Sequence, residues 1–188
     1  MSAPLLFLLA TVTLLIVPGP TNTLLAAAGA ASGWRRALPL LVAVLVAYLI
    51  AVGLIRLVLG PVVAAAPVVA TILKVMVATY LAMIAIRMWL RAGPEATAAP
   101  TTRQIFVATL LNPKSLIFAI GILPAGGWEV SWYMLTFALA CLASGSVWIL
   151  IGQGIGLAAR GRDQRIVPRV AALALGGFAG MILASAFA

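Results

Sequence analysis

The sequence has no histidine, a single cysteine and only three acidic residues among its 188 residues. Without histidine, the chain lacks the usual imidazole metal ligand and the usual pH-sensitive side chain. One cysteine allows neither an intrachain disulfide nor a cysteine metal cluster, and Cys141 lies in an apolar run that favours a small buried hydrophobe. These shortages argue against a soft transition-metal site, so we predict no metal and no cofactor.

Charged residues are scarce as well, at 8% of the chain, whereas 65% of the residues are hydrophobic. A soluble domain usually carries about 25% charged residues, and a water-soluble fold of this size could not cover its surface with so few polar side chains. The apolar residues also fall in long runs, and a run of about 20 crosses a bilayer as a helix. The composition therefore predicts an all-α integral membrane protein in contact with the lipid bilayer.

Six apolar segments predict six transmembrane helices in one domain, residues 1–188. Their approximate ranges are 4–28, 38–59, 67–90, 104–124, 131–157 and 170–188. The polar linker 92–102 divides the chain into halves 1–91 and 103–188, each with three predicted spans. An odd number of spans per half places the halves in opposite orientations, so the pattern predicts a 3+3 inverted repeat.

Positive charge is concentrated in alternate loops. The arginines concerned are Arg35 and Arg36 in the first loop, Arg87, Arg91 and Arg103 around the third, and Arg160, Arg162, Arg165 and Arg169 around the fifth. Because cytoplasmic loops carry an excess of Lys and Arg, we predict that these three loops are cytoplasmic and that both chain termini lie outside. On a soluble protein the net charge of +9 would suggest nucleic acid. Membrane orientation explains it here, so no nucleic-acid partner is predicted.

Proline interrupts the first and fourth segments, in the sequences Pro18-Gly19-Pro20 and Asn112-Pro113. Proline breaks a helix interior but is favoured at the first position of a helix, just after an N-cap such as Asn. We therefore predict that helices 1 and 4 are interrupted near the membrane midplane, and that each resumes as a half-helix whose positive N-terminus could attract a carboxylate. Such breaks at matching places in two inverted halves point to a transporter's binding site. The alternative is a pair of kinks that serve packing only.

Polar side chains accompany both breaks. Thr21 and Asn22 follow the first break and bring a hydroxyl and an amide to the same depth. Lys114 lies near the middle of the fourth segment, where inserting a lysine costs about 2.5–3.5 kcal/mol. No acidic residue lies within a segment to pair with it, so its partner could be a substrate carboxylate or helix carbonyls, or burial could hold it neutral. We predict a substrate-binding or gating role for Lys114, against the alternative of a purely structural one.

The third and sixth segments hold weaker candidates. Lys74 lies about two turns inside the third segment, where it could serve transport or extend to the outer interface. Tyr80 lies mid-segment and needs a partner for its hydroxyl, which packing explains more simply than transport. In the sixth segment, Gly176 and Gly180 form a Gly-x-x-x-Gly pattern that lets helices approach closely, inside one subunit or in a homodimer.

Three motifs occur in order along the first four segments. They are Val17-Pro18-Gly19-Pro20 followed by Asn22, Leu73-Lys74 leading to Tyr80-Leu81, and Leu111-Asn112-Pro113-Lys114-Ser115 with Phe118 and Leu123-Pro124. In this order and spacing the chain resembles the LysE/RhtB family of bacterial amino-acid exporters, the LysE-type translocators. The chain departs from the family's glycine pattern, with Pro39, Ala43 and Ala47 along the second segment and Ala78-Thr79 before the Tyr-Leu pair.

The resemblance implies a secondary transporter of the bacterial cytoplasmic (inner) membrane that exports an amino acid, or a similar zwitterion or anion. It also implies that the proton gradient drives export and that both breaks line the translocation path. With no Asp, Glu or His within a segment, proton coupling would fall to Lys114 or Tyr80. The alternatives are a permease for another small solute or cation, although a cation site wants intramembrane carboxylates, and a non-transporting accessory subunit. No enzyme is predicted, because the segments offer no acid–base pair.

Overall fold

The computed structural model describes residues 3–59, 67–90, 99–123, 130–159 and 165–187, and every regular element in these ranges is helical. In chain order the helices are α1 (Ala3–Ile16), α2 (Pro20–Ser32), α3 (Trp34–Ala37), α4 (Leu40–Leu54), α5 (Pro67–Leu90), α6 (Thr102–Leu110), α7 (Pro113–Leu116), α8 (Val130–Ala158) and α9 (Ile166–Ala184). Two π-helical stretches extend α4 and α7, over Ile55–Leu59 and Ile117–Ile122 respectively. The prediction of an all-α protein is confirmed for the described ranges.

Within the described residues, four helical stretches are long and apolar enough to cross a membrane, and a fifth results if the bent pair α1 and α2 counts as one span. The four are Trp34–Val58, Thr71–Leu90, Ser131–Ala158 and Ile166–Ala184. Large hydrophobic side chains are exposed along α1, α4, α5, α8 and α9, as contact with lipid requires. The predicted fourth segment is divided between α6 and α7, so six spans remain a prediction.

Several predicted features lie outside the described residues. Residues 91–98 cover most of the predicted linker, and Arg91, Arg160 and Arg162 belong to the predicted cytoplasmic loops. The chain termini, residues 1–2 and 188, and Pro124 of the third motif also lie outside. The boundaries of the half-repeats therefore stay a prediction.

Both interruptions that proline predicts are present among the described helices. α1 ends at Ile16 and α2 begins at Pro20, with an angle of 61° between them. α6 ends at Leu110 and α7 begins at Pro113. Because proline has no N–H, it cannot complete the hydrogen bond to the preceding turn, yet its fixed φ suits the first position of the next helix.

α2 lies in the middle of the bundle and packs closely against α8. Gly152 lies against Ala26 and Gly156 against Ala30, so the two helices run parallel. A Cβ atom on Gly152 would lie 1.9 Å from the carbonyl oxygen of Ala26, which leaves room for glycine alone. Small residues thus let these two helices touch along their backbones.

The other long helices also pair: α4 runs parallel to α6 and α7, and α5 runs antiparallel to α9. The contacts that fix these directions are Tyr48–Asn112 and Arg56–Leu123 for the first pair, and Lys74–Ser185 and Trp89–Arg169 for the second. In a 3+3 repeat, segments 1, 2 and 3 correspond to segments 4, 5 and 6. The packed pair of segments 1 and 5 then corresponds to the packed pair of segments 4 and 2, and the pair of segments 3 and 6 corresponds to itself. This pattern supports the inverted repeat, which stays a prediction.

A buried aromatic cluster lies beside the second break. The rings of Phe118 and Phe137 lie 3.9 Å apart, Tyr48 meets Phe137 edge-on at 5.7 Å, and Phe7 meets Phe118 at 5.9 Å. Aromatic pairs of this kind add stabilisation beyond the area that they bury. Because Phe118 follows Lys114 by one helical turn, the cluster helps to fix the position of the second break.

Candidate functional site

The two helix breaks meet in the interior of the bundle. The hydroxyl oxygens of Thr21 in α2 and Thr109 in α6 lie 3.1 Å apart. The side-chain amide of Asn112 donates to Thr21 Oγ1 at 2.9 Å and to Tyr48 Oη at 3.1 Å. All four side chains are buried. We refer to the residues of the first break (Leu15 to Asn22) and of the second (Thr109 to Lys114), together with Tyr48, as the junction.

Asn112 also begins the helix that follows the second break. Its side-chain oxygen accepts a hydrogen bond from the backbone N–H of Lys114 at 3.0 Å, so the prediction of Asn112 as an N-cap before Pro113 is confirmed. With its oxygen used for the cap and its NH₂ group shared between Thr21 and Tyr48, one side chain both starts α7 and ties it to the first break.

Lys114 reaches across the junction to the end of α1. Its Nζ donates to the carbonyl oxygen of Val17 and, at 3.3 Å, to that of Leu15. We call these two oxygens the carbonyl pair. They belong to the C-terminal end of α1, where the helix dipole is negative and helical N–H partners are missing. Lys114 is only 8% exposed, so of the predicted partners it is the helix carbonyls that hold its ammonium group here.

The carbonyl pair has a second partner from its own side of the break. Asn22 Nδ2 donates to Leu15 O at 2.7 Å and to Val17 O at 2.9 Å. Gly19 lies over the Lys114 side chain, and a Cβ atom there would be 3.1 Å from Cε and 3.4 Å from Nζ. Since the Gly19 backbone is extended, with φ −171°, its conformation does not require glycine, and an added Cβ atom would instead crowd the end of the Lys114 side chain.

The start of α2 has no side-chain cap among the described residues, and the helix begins with Pro20 after Gly19. The first N–H groups of a helix lack helical partners and carry the positive end of the dipole. The junction therefore contains the ammonium group of Lys114, the N–H groups at the start of α2 and the carbonyl pair at the end of α1.

An apolar cavity of about 260 Å³ adjoins the first break between α2, α8 and α9. It is lined by Pro18, Thr23, Ala26, Trp148, Gly152 and Val170 among others. The indole N–H of Trp148 donates to the carbonyl oxygen of Ile16 at 3.3 Å, which ties this wall to the end of α1. A small aliphatic group would fit such a cavity next to the polar junction.

Lys74 and Tyr80 are not brought to the junction. Lys74 is exposed on α5 and donates to the carbonyl oxygen of Ser185 in the last turn after α9, at 2.5 Å. Tyr80 is partly buried on the same helix, and no hydrogen bond connects it to the described residues of either break. The predicted site residues that the structure does bring together are Pro18, Gly19, Pro20, Thr21, Asn22, Asn112, Pro113 and Lys114.

Two junction residues, Tyr48 and Thr109, are absent from the sequence prediction. Tyr48 lies in the middle of the second segment, and the reasoning used for Tyr80, that a phenol inside a span needs a partner, would have singled it out. Thr109 lies three residues before Asn112 but carries no signal of its own. The buried hydroxyl oxygens of Thr11, Ser115 and Ser144 have no hydrogen-bond partner in the described part of the chain, and the sequence does not reveal them either.

The chain matches the model of a known protein family. A family model described as LysE type translocator matches residues 12–186 of the 188-residue chain. The matched range contains both breaks and every junction residue. Neither the curated proteins nor the solved structures contain a match to the chain.

Proposed function

Because the chain belongs to the LysE type translocator family and is therefore a membrane transporter, we propose that it exports an amino acid or a close derivative across the bacterial inner membrane. The observation that carries the proposal is the contact of Lys114 with the carbonyl pair, which joins the two breaks in the interior of the bundle. A polar site that connects two interrupted helices is where a transporter of this architecture would hold its substrate.

The chemistry of the junction suits a zwitterion. An α-amino acid carries an ammonium group that needs carbonyl acceptors and a carboxylate that needs cationic or N–H donors. The carbonyl pair supplies the first, and Lys114 with the uncapped start of α2 supplies the second. We propose that the apolar cavity beside Trp148 takes part of the substrate's side chain.

Substrate binding would exchange partners at the junction. In the structure described here the ammonium group of Lys114 occupies the carbonyl pair. We propose that the substrate's ammonium group displaces it, and that the freed Lys114 then pairs with the substrate's carboxylate. The two breaks would thereby be linked through Lys114 before binding and through the substrate after it, which is a means of coupling binding to movement of the halves.

We propose that the proton gradient drives export. The sequence has no nucleotide-binding P-loop pattern, so an ion gradient is the available source of energy for the chain alone. Arg35 and Arg36 precede α4, and Arg87 near the end of α5 lies two residues before Trp89, whose ring contacts Arg169 near the start of α9. This supports the proposed orientation, with these arginines on the cytoplasmic side and the termini outside.

The test is amino-acid efflux from cells loaded with mixed dipeptides, comparing wild type, Lys114→Ala, Lys74→Ala and empty vector at equal membrane abundance. We expect wild type to release one or a few amino acids faster than vector. The export rate of the Lys114→Ala variant should be lower by tenfold or more, since a charge-assisted hydrogen bond contributes about 1.5–3 kcal/mol. Lys74→Ala removes the same charge away from the junction and should export normally.

Each other outcome has a definite meaning. Selective release that survives in Lys114→Ala would keep the exporter and reduce Lys114 to a structural residue. If release from reconstituted vesicles does not depend on the proton gradient, proton coupling is rejected and the rest of the proposal stands. No enhanced release of any amino acid would reject amino-acid export in favour of another solute, a cation or an accessory role.

A further inference from the structure

A groove of about 590 Å³ runs between α5 and α9, and none of its lining residues belongs to the junction. Its walls are mostly apolar, and small residues contribute to both of them, with Ala78 and Ala82 from α5 and Gly176, Ala179 and Gly180 from α9. A Cβ atom on Gly176 or Gly180 would meet nothing within 4 Å. A side chain added at either glycine would therefore extend into open space, in contrast to the close contact at Gly152.

The length of the groove matches one leaflet of a bilayer. The α5 wall runs from Ala78 to Arg87, which at about 1.5 Å of rise per residue is roughly 13 Å. Half of a hydrocarbon core of about 30 Å is roughly 15 Å. With Arg87 at the level of the headgroups, the groove would extend to near the middle of the membrane.

The end of the groove at Arg87 is positively charged. Arg87 lines the groove and is exposed. Arg169, from α9, lies over the ring of Trp89 at 5.4 Å, and its Nε atom is buried without a hydrogen-bond partner in the described part of the chain. The described ranges contain no Asp or Glu, and the two acidic residues nearest in sequence, Glu95 and Asp163, lie outside them. Basic pockets between membrane helices of this kind bind lipid headgroups.

We propose that this groove binds an anionic phospholipid, with one acyl chain along the glycine wall of α9 and the phosphate group on Arg87 and Arg169. Chain packing against Gly176 and Gly180 supplies van der Waals contact, and the arginines supply selectivity for negative charge. A second copy of the protein is disfavoured as the occupant. A symmetric dimer through this groove would bring two Arg87 side chains together at the same depth, and like charges repel.

The test is native mass spectrometry of the purified, delipidated protein titrated with phosphatidylglycerol or phosphatidylcholine. We expect wild type to retain one phosphatidylglycerol in preference to phosphatidylcholine. The preference should fall by about fivefold in Arg87→Gln, because one basic residue near a lipid headgroup has a modest effect. Arg36→Gln, which removes a charge elsewhere on the same predicted side, should keep the wild-type preference.

A second pair of variants fills the groove. Gly180→Leu should abolish retention of both lipids, while Gly177→Leu, which does not line the groove, should retain them. Neither Cβ atom meets a neighbour within 4 Å, so both variants should fold. Equal loss in Arg36→Gln and Arg87→Gln, or retention that survives Gly180→Leu, would overturn the proposal. A dimer mass that Gly180→Leu converts to a monomer, with lipid retention unchanged, would assign the groove to a second copy.

Discussion

Asn112 performs two roles at once, and single substitutions can separate them. Its oxygen caps α7, while its NH₂ group holds Thr21 and Tyr48. Serine keeps a cap at this position but cannot reach both partners, whereas alanine does neither. A buried polar group left without its partner costs about 1–3 kcal/mol.

We therefore predict that Asn112→Ser lowers the thermal midpoint of the detergent-solubilised protein. Asn112→Ala should lower the midpoint further, because it also removes the cap, which contributes about 1 kcal/mol to stability. Size-exclusion chromatography after heating measures both. The two-role interpretation fails if serine and alanine cost the same, since the cap would then contribute nothing.

Gly19 tests whether transport depends on the position of the Lys114 ammonium group. Valine at this position would place carbon atoms against Cε and Nζ of Lys114, where even a Cβ atom lies only 3.1 Å from Cε. We predict that Gly19→Val loses export while still inserting into the membrane. Gly53→Val is the matched control because a Cβ atom there meets nothing within 4 Å. Normal export by Gly19→Val would show that Lys114 can move without consequence.

At the scale of helices, the parallel pair α2 and α8 holds the first break in place. Their backbones touch through Gly152 and Gly156, which leave no space for a side chain. In a membrane, lipid is as apolar as the protein interior, so helix association depends on such close van der Waals contact. Overpacking of a tight contact commonly costs about 1–3 kcal/mol and here would push two backbones apart.

We predict that Gly152→Leu prevents recovery of monodisperse protein, because a Cβ atom at this position would lie 1.9 Å from the carbonyl oxygen of Ala26. Gly154→Leu, two residues along the same helix and with nothing within 4 Å, should yield protein like wild type. The comparison is made by fluorescence-detected size-exclusion chromatography. Equal yields of the two variants would contradict the packing described for α2 and α8.

At the scale of the whole molecule, the distribution of arginine predicts one orientation in the membrane, with the arginine-rich ends in the cytoplasm. We predict that a membrane-impermeant maleimide labels Ser185→Cys in intact cells and labels Arg36→Cys only after permeabilisation. Both positions are exposed, and the native Cys141 is buried, so wild type provides the background. Labelling of Arg36→Cys in intact cells would reverse the topology.

The sequence by itself determined the class of the protein, the places where helices break and the residues that start the new helices. These features depend on local chemistry: few charges, the missing N–H of proline and the capping ability of Asn112. The family resemblance in the sequence agrees with the family match over residues 12–186.

Only the tertiary structure decided that the two breaks meet, that Lys114 binds the carbonyl pair, and that Tyr48 and Thr109 complete the junction. The physical reason lies in the solvent. In water, hydrophobic periodicity marks the face of a helix that packs inward, but in a bilayer both faces are apolar, so the sequence does not say which helices touch. Lys74 and Tyr80 show the consequence: they look like Lys114 and Tyr48 in the sequence, and the packing of α5 against α9 carries them away from the junction.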